Sequence, residues 1–98
     1  MTMRMTIVST YPPRPCGIGT FSRDLRSALL EADSSLEIDV VAIVRDHHSS
    51  PEHEVLSVIR QDVRADYVAV PALLDGRGTD VVLIEHEYGI FGGDSGSY

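Results

Sequence analysis

Two short stretches of this 98-residue chain contain the residues whose types and spacing can do chemistry. The first is Tyr11-Pro12-Pro13-Arg14-Pro15-Cys16-Gly17-Ile18-Gly19-Thr20-Phe21, and the second is Glu85-His86-Glu87-Tyr88-Gly89-Ile90-Phe91-Gly92-Gly93-Asp94. In the first, three prolines hold the backbone extended, while Gly17 and Gly19 carry no side-chain atoms to keep a ligand from the main chain. If a helix starts there, the N–H groups of its first turn have no acceptor within the helix and lie at the positive end of its dipole. The guest that suits such a cradle is a pyrophosphate, held by the backbone of Gly17, Ile18, Gly19 and Thr20. A tight strand-to-helix turn with no ligand is the plainer alternative. The third glycine of a dinucleotide fingerprint is missing, as is the Gly-Lys-Ser/Thr of a P-loop. Arg14 would neutralise a phosphate or carboxylate there, or stand in solvent as an ordinary loop charge.

In the second stretch His86 is flanked by Glu85 and Glu87, and a neighbouring carboxylate favours the protonated imidazole. That makes His86 either a charge-stabilising group in a crevice or a passive histidine. Cys16, the only cysteine, sits where a helix dipole would stabilise a thiolate, yet a small residue packed in a tight turn explains it better. His47, His48 and His53 alternate with Asp46, Glu52 and Glu54. Their spacing matches no regular ligand pattern, so the segment reads as a solvated loop and no metal is expected.

These residues need a scaffold, and the hydrophobic pattern supplies one. Residues 3–9 form a short apolar, β-favouring run that stops at Thr10-Tyr11-Pro12-Pro13. From Thr20 the period changes, with Phe21, Leu25, Ala28, Leu29 and Ala32 three or four apart, which predicts an amphipathic helix ending near residues 33–35. Residues 36–44 end in Val40-Val41-Ala42-Ile43-Val44, the continuous apolar run of a strand covered on both faces. Residues 55–60 read as a further strand. Residues 65–74 have helical spacing but contain Pro71, which predicts a kinked or broken helix. Val81-Val82-Leu83-Ile84 is the last buried-strand signal.

Strand, helix, strand, strand, helix, strand predicts an α/β fold: a Rossmann-like open parallel sheet of about four strands with flanking helices. In such sheets ligands bind beyond the carboxyl ends of the strands, where both motif stretches lie. Two helices leave part of a four-stranded sheet bare. That bare face predicts either a piece of a longer protein or a domain that forms a homo-oligomer through it.

The bulk numbers bound the partners. The sequence is 43% hydrophobic and 23% charged, ordinary globular chemistry for at most one small domain. A formal charge of −7 gives no basic field for a phosphate polymer or anionic bilayer, so nucleic acid is not expected. A lone cysteine forms no internal disulfide, which fits a reducing compartment. No signal-peptide pattern and no apolar run of about 18 residues is visible.

Taken together, the two motifs resemble the amino-terminal domain of retaining glycosyltransferases of family 4, the group of bacterial mannosyl- and glucosyltransferase-like proteins. The resemblance spans nearly the whole chain in order and spacing. It implies half of a GT-B architecture, in which two Rossmann-like domains face each other, the acceptor bound mainly to the first and a nucleotide-sugar mainly to the second. Residues 1–98 would be the acceptor-side domain of such an enzyme, working with a carboxyl-terminal domain that carries an acidic pair. By the same resemblance the loop with Gly17 and Gly19 lies against the donor diphosphate and His86 lines the cleft near the transferred sugar. Arg14, Glu87, Tyr88, Gly92 and Gly93 would then be binding residues around them. The nucleotide-sugar is substrate rather than cofactor, no metal is implied, and the location is cytoplasmic or peripheral to the inner membrane. The isolated 98 residues are expected to be inactive. A non-catalytic Rossmann-like interaction domain using Ile90 and Phe91 is the alternative. A nucleotide-dependent oxidoreductase is weaker, since the loop before the helix does not fit.

Overall fold

A computed structural model describes residues 3–12, 17–45 and 53–85. Its elements run β1 (Arg4–Thr10), α1 (Gly17–Ala32), β2 (Glu37–Val44), β3 (Val55–Arg60), α2 (Arg64–Gly76) and β4 (Val81–Ile84). All pairings are parallel, in the order β3-β2-β1-β4. The fold is thus an open four-stranded parallel α/β sheet flanked by two helices, as the pattern predicted.

The strands are apolar on both faces because both faces are covered at the centre of the sheet. Ile7, Tyr11, Ile38, Val40 and Ala42 form one buried cluster, against which Leu29 and Leu30 of α1 pack. Val8, Val41, Ile43 and Ile59 form the opposite cluster with Leu74, joined by Tyr67, Val70 and Leu73 of α2. Successive residues along β1 and β2 alternate between the two, as a pleated strand requires.

The face of α1 differs from the expected one. Phe21 is 56% exposed, and Ala28 and Ala32 are also exposed. The fully inward residues of this helix are Gly19 and Ser22, with Leu25, Arg26, Leu29 and Leu30 continuing the stripe. Close approach to β1 favours small residues at the top of the helix, and hydrophobicity alone does not register them.

The second helix is not broken at Pro71: α2 runs without interruption through it. Pro71 lies on the exposed side, while Val70, Leu73 and Leu74 pack on the sheet. Tertiary burial of that stripe offsets the one hydrogen bond the ring removes. The helix stops at Arg77 and Gly78, where Gly78 takes φ 69°, a left-handed turn that glycine adopts without steric penalty.

The remaining strand is covered least. Val81, Val82 and Ile84 of β4 are 39%, 43% and 57% exposed. A groove of about 480 Å³, lined by Val8, Val70, Pro71, Leu74, Val82 and Ile84 among others, runs between β4 and α2. Among the described residues no helix is long and apolar enough to cross a membrane.

Candidate functional site

The strand order contains one reversal. The chain proceeds from β1 outward through β2 to β3, and α2 then carries it back across the sheet to β4 on the other side of β1. The carboxyl ends of β1 and β4 therefore stand at a topological switch point, the place where open α/β sheets bind ligands. The first motif begins where β1 ends. The second begins at Glu85, whose N–H donates to the Val8 carbonyl at 3.1 Å, one strand spacing from β1.

At the β1 side, α1 starts at Gly17. Gly17 is exposed, and a Cβ built on it would meet nothing within 4 Å. Thr20 is exposed and Ile18 half-buried. Gly19 has a different role from the one expected. A Cβ there would lie 3.1 Å from the Tyr11 nitrogen and 3.2 Å from both the Thr10 carbonyl carbon and the Tyr11 Cα. The missing side chain of Gly19 thus admits the chain's own β1 backbone, letting the helix start close against the strand that precedes it.

A second contact fixes the same junction one turn further on. The Ser22 hydroxyl donates to Ser9 Oγ at 2.9 Å, and both residues are fully buried. Between Ser9 and Ser22 the turn is therefore held at both ends by small residues.

Tyr11, the first residue beyond β1, turns its ring into the α1-side cluster and is 2% exposed. Its hydroxyl donates to Glu54 Oε2 at 3.3 Å. Glu54 was expected to be a solvated loop acid, yet its side chain is only 10% exposed. Arg26 Nη1 lies 3.5 Å from the same Oε2, and Arg26 Nε donates to the Ile38 carbonyl at 2.8 Å. Burial of this carboxylate is compensated by a cation and a hydroxyl on one oxygen, while Glu54 Oε1 is buried without a hydrogen-bond partner. Tyr11 stood inside the first motif, but nothing in the pattern pointed to Glu54, Ser22 or Arg26. The pairings join residues far apart in sequence, and only the register of the sheet brings them together.

At the carboxyl end of β3, Arg60 donates from its backbone N–H, Nε and Nη2 to the carboxylate of Asp66 in the first turn of α2. That carboxylate raises the Arg60 pKa, chiefly through the side-chain hydrogen bond and then by charge. At the opposite end of the sheet, Arg4 pairs with Glu37, and Arg77 with Asp39, around a shallow pocket of about 330 Å³. These pairs are satisfied among themselves and lie away from the crevice.

Arg14, Cys16, His86, Glu87, Tyr88, Ile90, Phe91, Gly92 and Gly93 lie outside the described residues, as do Asp46, His47, His48 and Glu52. Among the described residues no group of three or more His, Cys, Asp or Glu could hold a metal ion. Comparison with protein-family models, with curated proteins and with solved structures found no match.

Proposed function

We propose that this chain is the acceptor-side Rossmann-like domain of a retaining GT-B glycosyltransferase of the family 4 kind. Working with a second domain, it transfers a sugar from a nucleotide-sugar donor to an acceptor in the cytoplasm or at the inner membrane face. The observation that carries the reading is the switch point: the two stretches that resemble the family leave adjacent strands on the same edge of the sheet. In this reading the first-turn N–H groups of α1, from Gly17 to Thr20, meet the donor diphosphate, with Arg14 adding charge. His86 sits near the sugar, and Glu87, Tyr88, Gly92 and Gly93 complete the wall. The chemistry asked of this half is orientation and electrostatics. Preorganised N–H groups aimed at a leaving diphosphate stabilise the charge that develops there as the glycosidic bond breaks. Without the facing domain most of that stabilisation is lost, so the 98 residues alone are inactive.

The test is an NMR titration of the ¹⁵N-labelled chain with UDP and with GDP. Resonances of Gly17, Ile18 and Thr20 move, while those of Thr6 and Asp39 toward the far end of the sheet stay. Gly17→Val abolishes the movement, and because a Cβ at this position meets nothing within 4 Å the fold accepts the first atom of the new side chain. A Gly19→Val variant would not be informative, since that side chain strikes β1 whether or not a ligand binds. Absence of any nucleotide-dependent movement at the α1 start removes the donor-side assignment. The second reading, a non-catalytic interaction domain, draws on the exposed Val82 and Ile84 that line the β4 groove. A tight homodimer in solution with no nucleotide response favours it.

A further inference from the structure

We infer that Glu54 is a positioning residue, which sets the start of α1 by holding Tyr11. The inference rests on the reading of that helix start as the diphosphate-facing element, but its structural half is tested separately.

Three contacts link Glu54 to the helix start. Glu54 Oε2 accepts from the Tyr11 hydroxyl, and Arg26, itself anchored on the Ile38 carbonyl, lies against the same oxygen. Glu54 cannot drift, because its own carbonyl accepts from the Val40 N–H at 3.0 Å at the entry to β3. The ring of Tyr11 is enclosed in the cluster of Ile7, Ile38, Val40 and Ala42, so fixing the hydroxyl fixes the whole side chain. The Tyr11 backbone nitrogen and Cα are in turn two of the three atoms nearest to where a Cβ on Gly19 would lie, so the helix start passes close against Tyr11. Movement of Tyr11 is therefore transmitted to the first turn of α1, whose N–H groups have no acceptor within the helix.

The carboxylate is an expensive choice for a purely structural strut. It is nine-tenths buried and leaves Oε1 unpartnered, where a fully satisfied or apolar side chain would cost less. What Glu54 supplies that an apolar residue cannot is a fixed acceptor for a hydroxyl at the far end of a rigid ring. Such an acceptor determines where Tyr11 sits rather than merely that it is buried. Contacts that tolerate less stability for more exact placement are characteristic of residues supporting a binding constellation.

Three variants test this: Tyr11→Phe, Glu54→Gln and Glu54→Ala. The amide resonances of Gly17, Ile18, Gly19 and Thr20 are recorded in the absence of ligand, and UDP and GDP affinities are measured alongside. Tyr11→Phe and Glu54→Ala displace those four resonances in the same direction. Nucleotide binding weakens about threefold to tenfold, the change that losing one ordinary hydrogen bond supplies. Glu54→Gln keeps an oxygen for the hydroxyl and restores both signals to those of the parent chain. The inference is overturned if folded Tyr11→Phe leaves the four resonances in place. It is equally overturned if Glu54→Gln behaves like Glu54→Ala, since the charge toward Arg26 would then be the determinant. If the resonances respond as stated but the parent chain binds neither nucleotide, the positioning role stands and the donor-side reading of the helix start falls.

Discussion

Replacing Gly19 with alanine puts a methyl group where α1 rests on β1, and the geometry gives the sign of the effect. The new Cβ would lie 3.1 to 3.2 Å from three atoms, all of them backbone or Cα of Thr10 and Tyr11. Ordinary contact needs a few tenths of an ångström more, and neither neighbour can give it easily. Thr10 is in register with Ile43 in the sheet, and Tyr11 is buried by its ring. Overpacking of this kind costs about 1–3 kcal/mol, against a gain of roughly 0.5–1 kcal/mol from replacing a helical glycine. The net is a loss of about 1 kcal/mol, a fall in melting temperature of roughly 4–8 °C for a domain of this size. Gly17→Ala is the control two residues away. Its Cβ meets nothing, so only the favourable part remains, up to about 1 kcal/mol of stabilisation. Thermal unfolding followed by circular dichroism at the helix band reads both. Should Gly19→Ala melt as high as Gly17→Ala, the close approach of α1 to β1 is not what glycine serves there.

Two further outcomes follow from neighbouring contacts. Ser22→Ala removes the donor to Ser9 and leaves a buried hydroxyl to find another partner, costing about 1–2 kcal/mol, while the Ser9→Ala, Ser22→Ala double variant costs less than the sum of the two singles. Chemical denaturation of the three variants measures that coupling, and strict additivity would dissolve the pair. At the end of α1, the Ser35 hydroxyl and then its backbone N–H donate to Asp33 Oδ1, holding the Asp33 pKa below its ordinary value of 3.8. Because the folded value is depressed, the small contribution to stability is complete above 3.8 and disappears as pH falls through the lower, folded value. An NMR titration of the Asp33 carboxyl should give a midpoint below 3.8 that returns toward it in Ser35→Ala; an unchanged midpoint would assign the depression elsewhere.

Much of the scaffold was legible because its signals are local. The bounds of β3 and β4 follow directly from apolar runs between polar turns, and Val40 to Val44 announced a strand buried on both faces. The face of α1 differs from the apolar pattern for a physical reason: the contact with β1 is made by Gly19 and Ser22, whose merit is smallness, while Phe21 stays outside. Pro71 shows the opposite case: its single-residue penalty points to a break, but the packing of Leu73 and Leu74 holds the helix together across it. At the site, a helix that starts at a glycine after prolines could be anticipated, and α1 does start at Gly17. The Tyr11, Glu54 and Arg26 network could not, since it depends on how β2 aligns with β3 and on which way one tyrosine ring turns.

The strand β4 has a consequence for how the molecule behaves in company. Among the described residues it is an edge strand, with valine and isoleucine exposed along it, and an edge of this kind favours strand-to-strand addition between molecules. Two features restrain it: the strand is only four residues long, and Asp80 and Glu85 bracket it, so two such flanks laid together bring like charges face to face. Neutralising both carboxylates would leave the flank ready to recruit copies of itself, and the acidic character of the whole chain acts in part as protection against fibrous association.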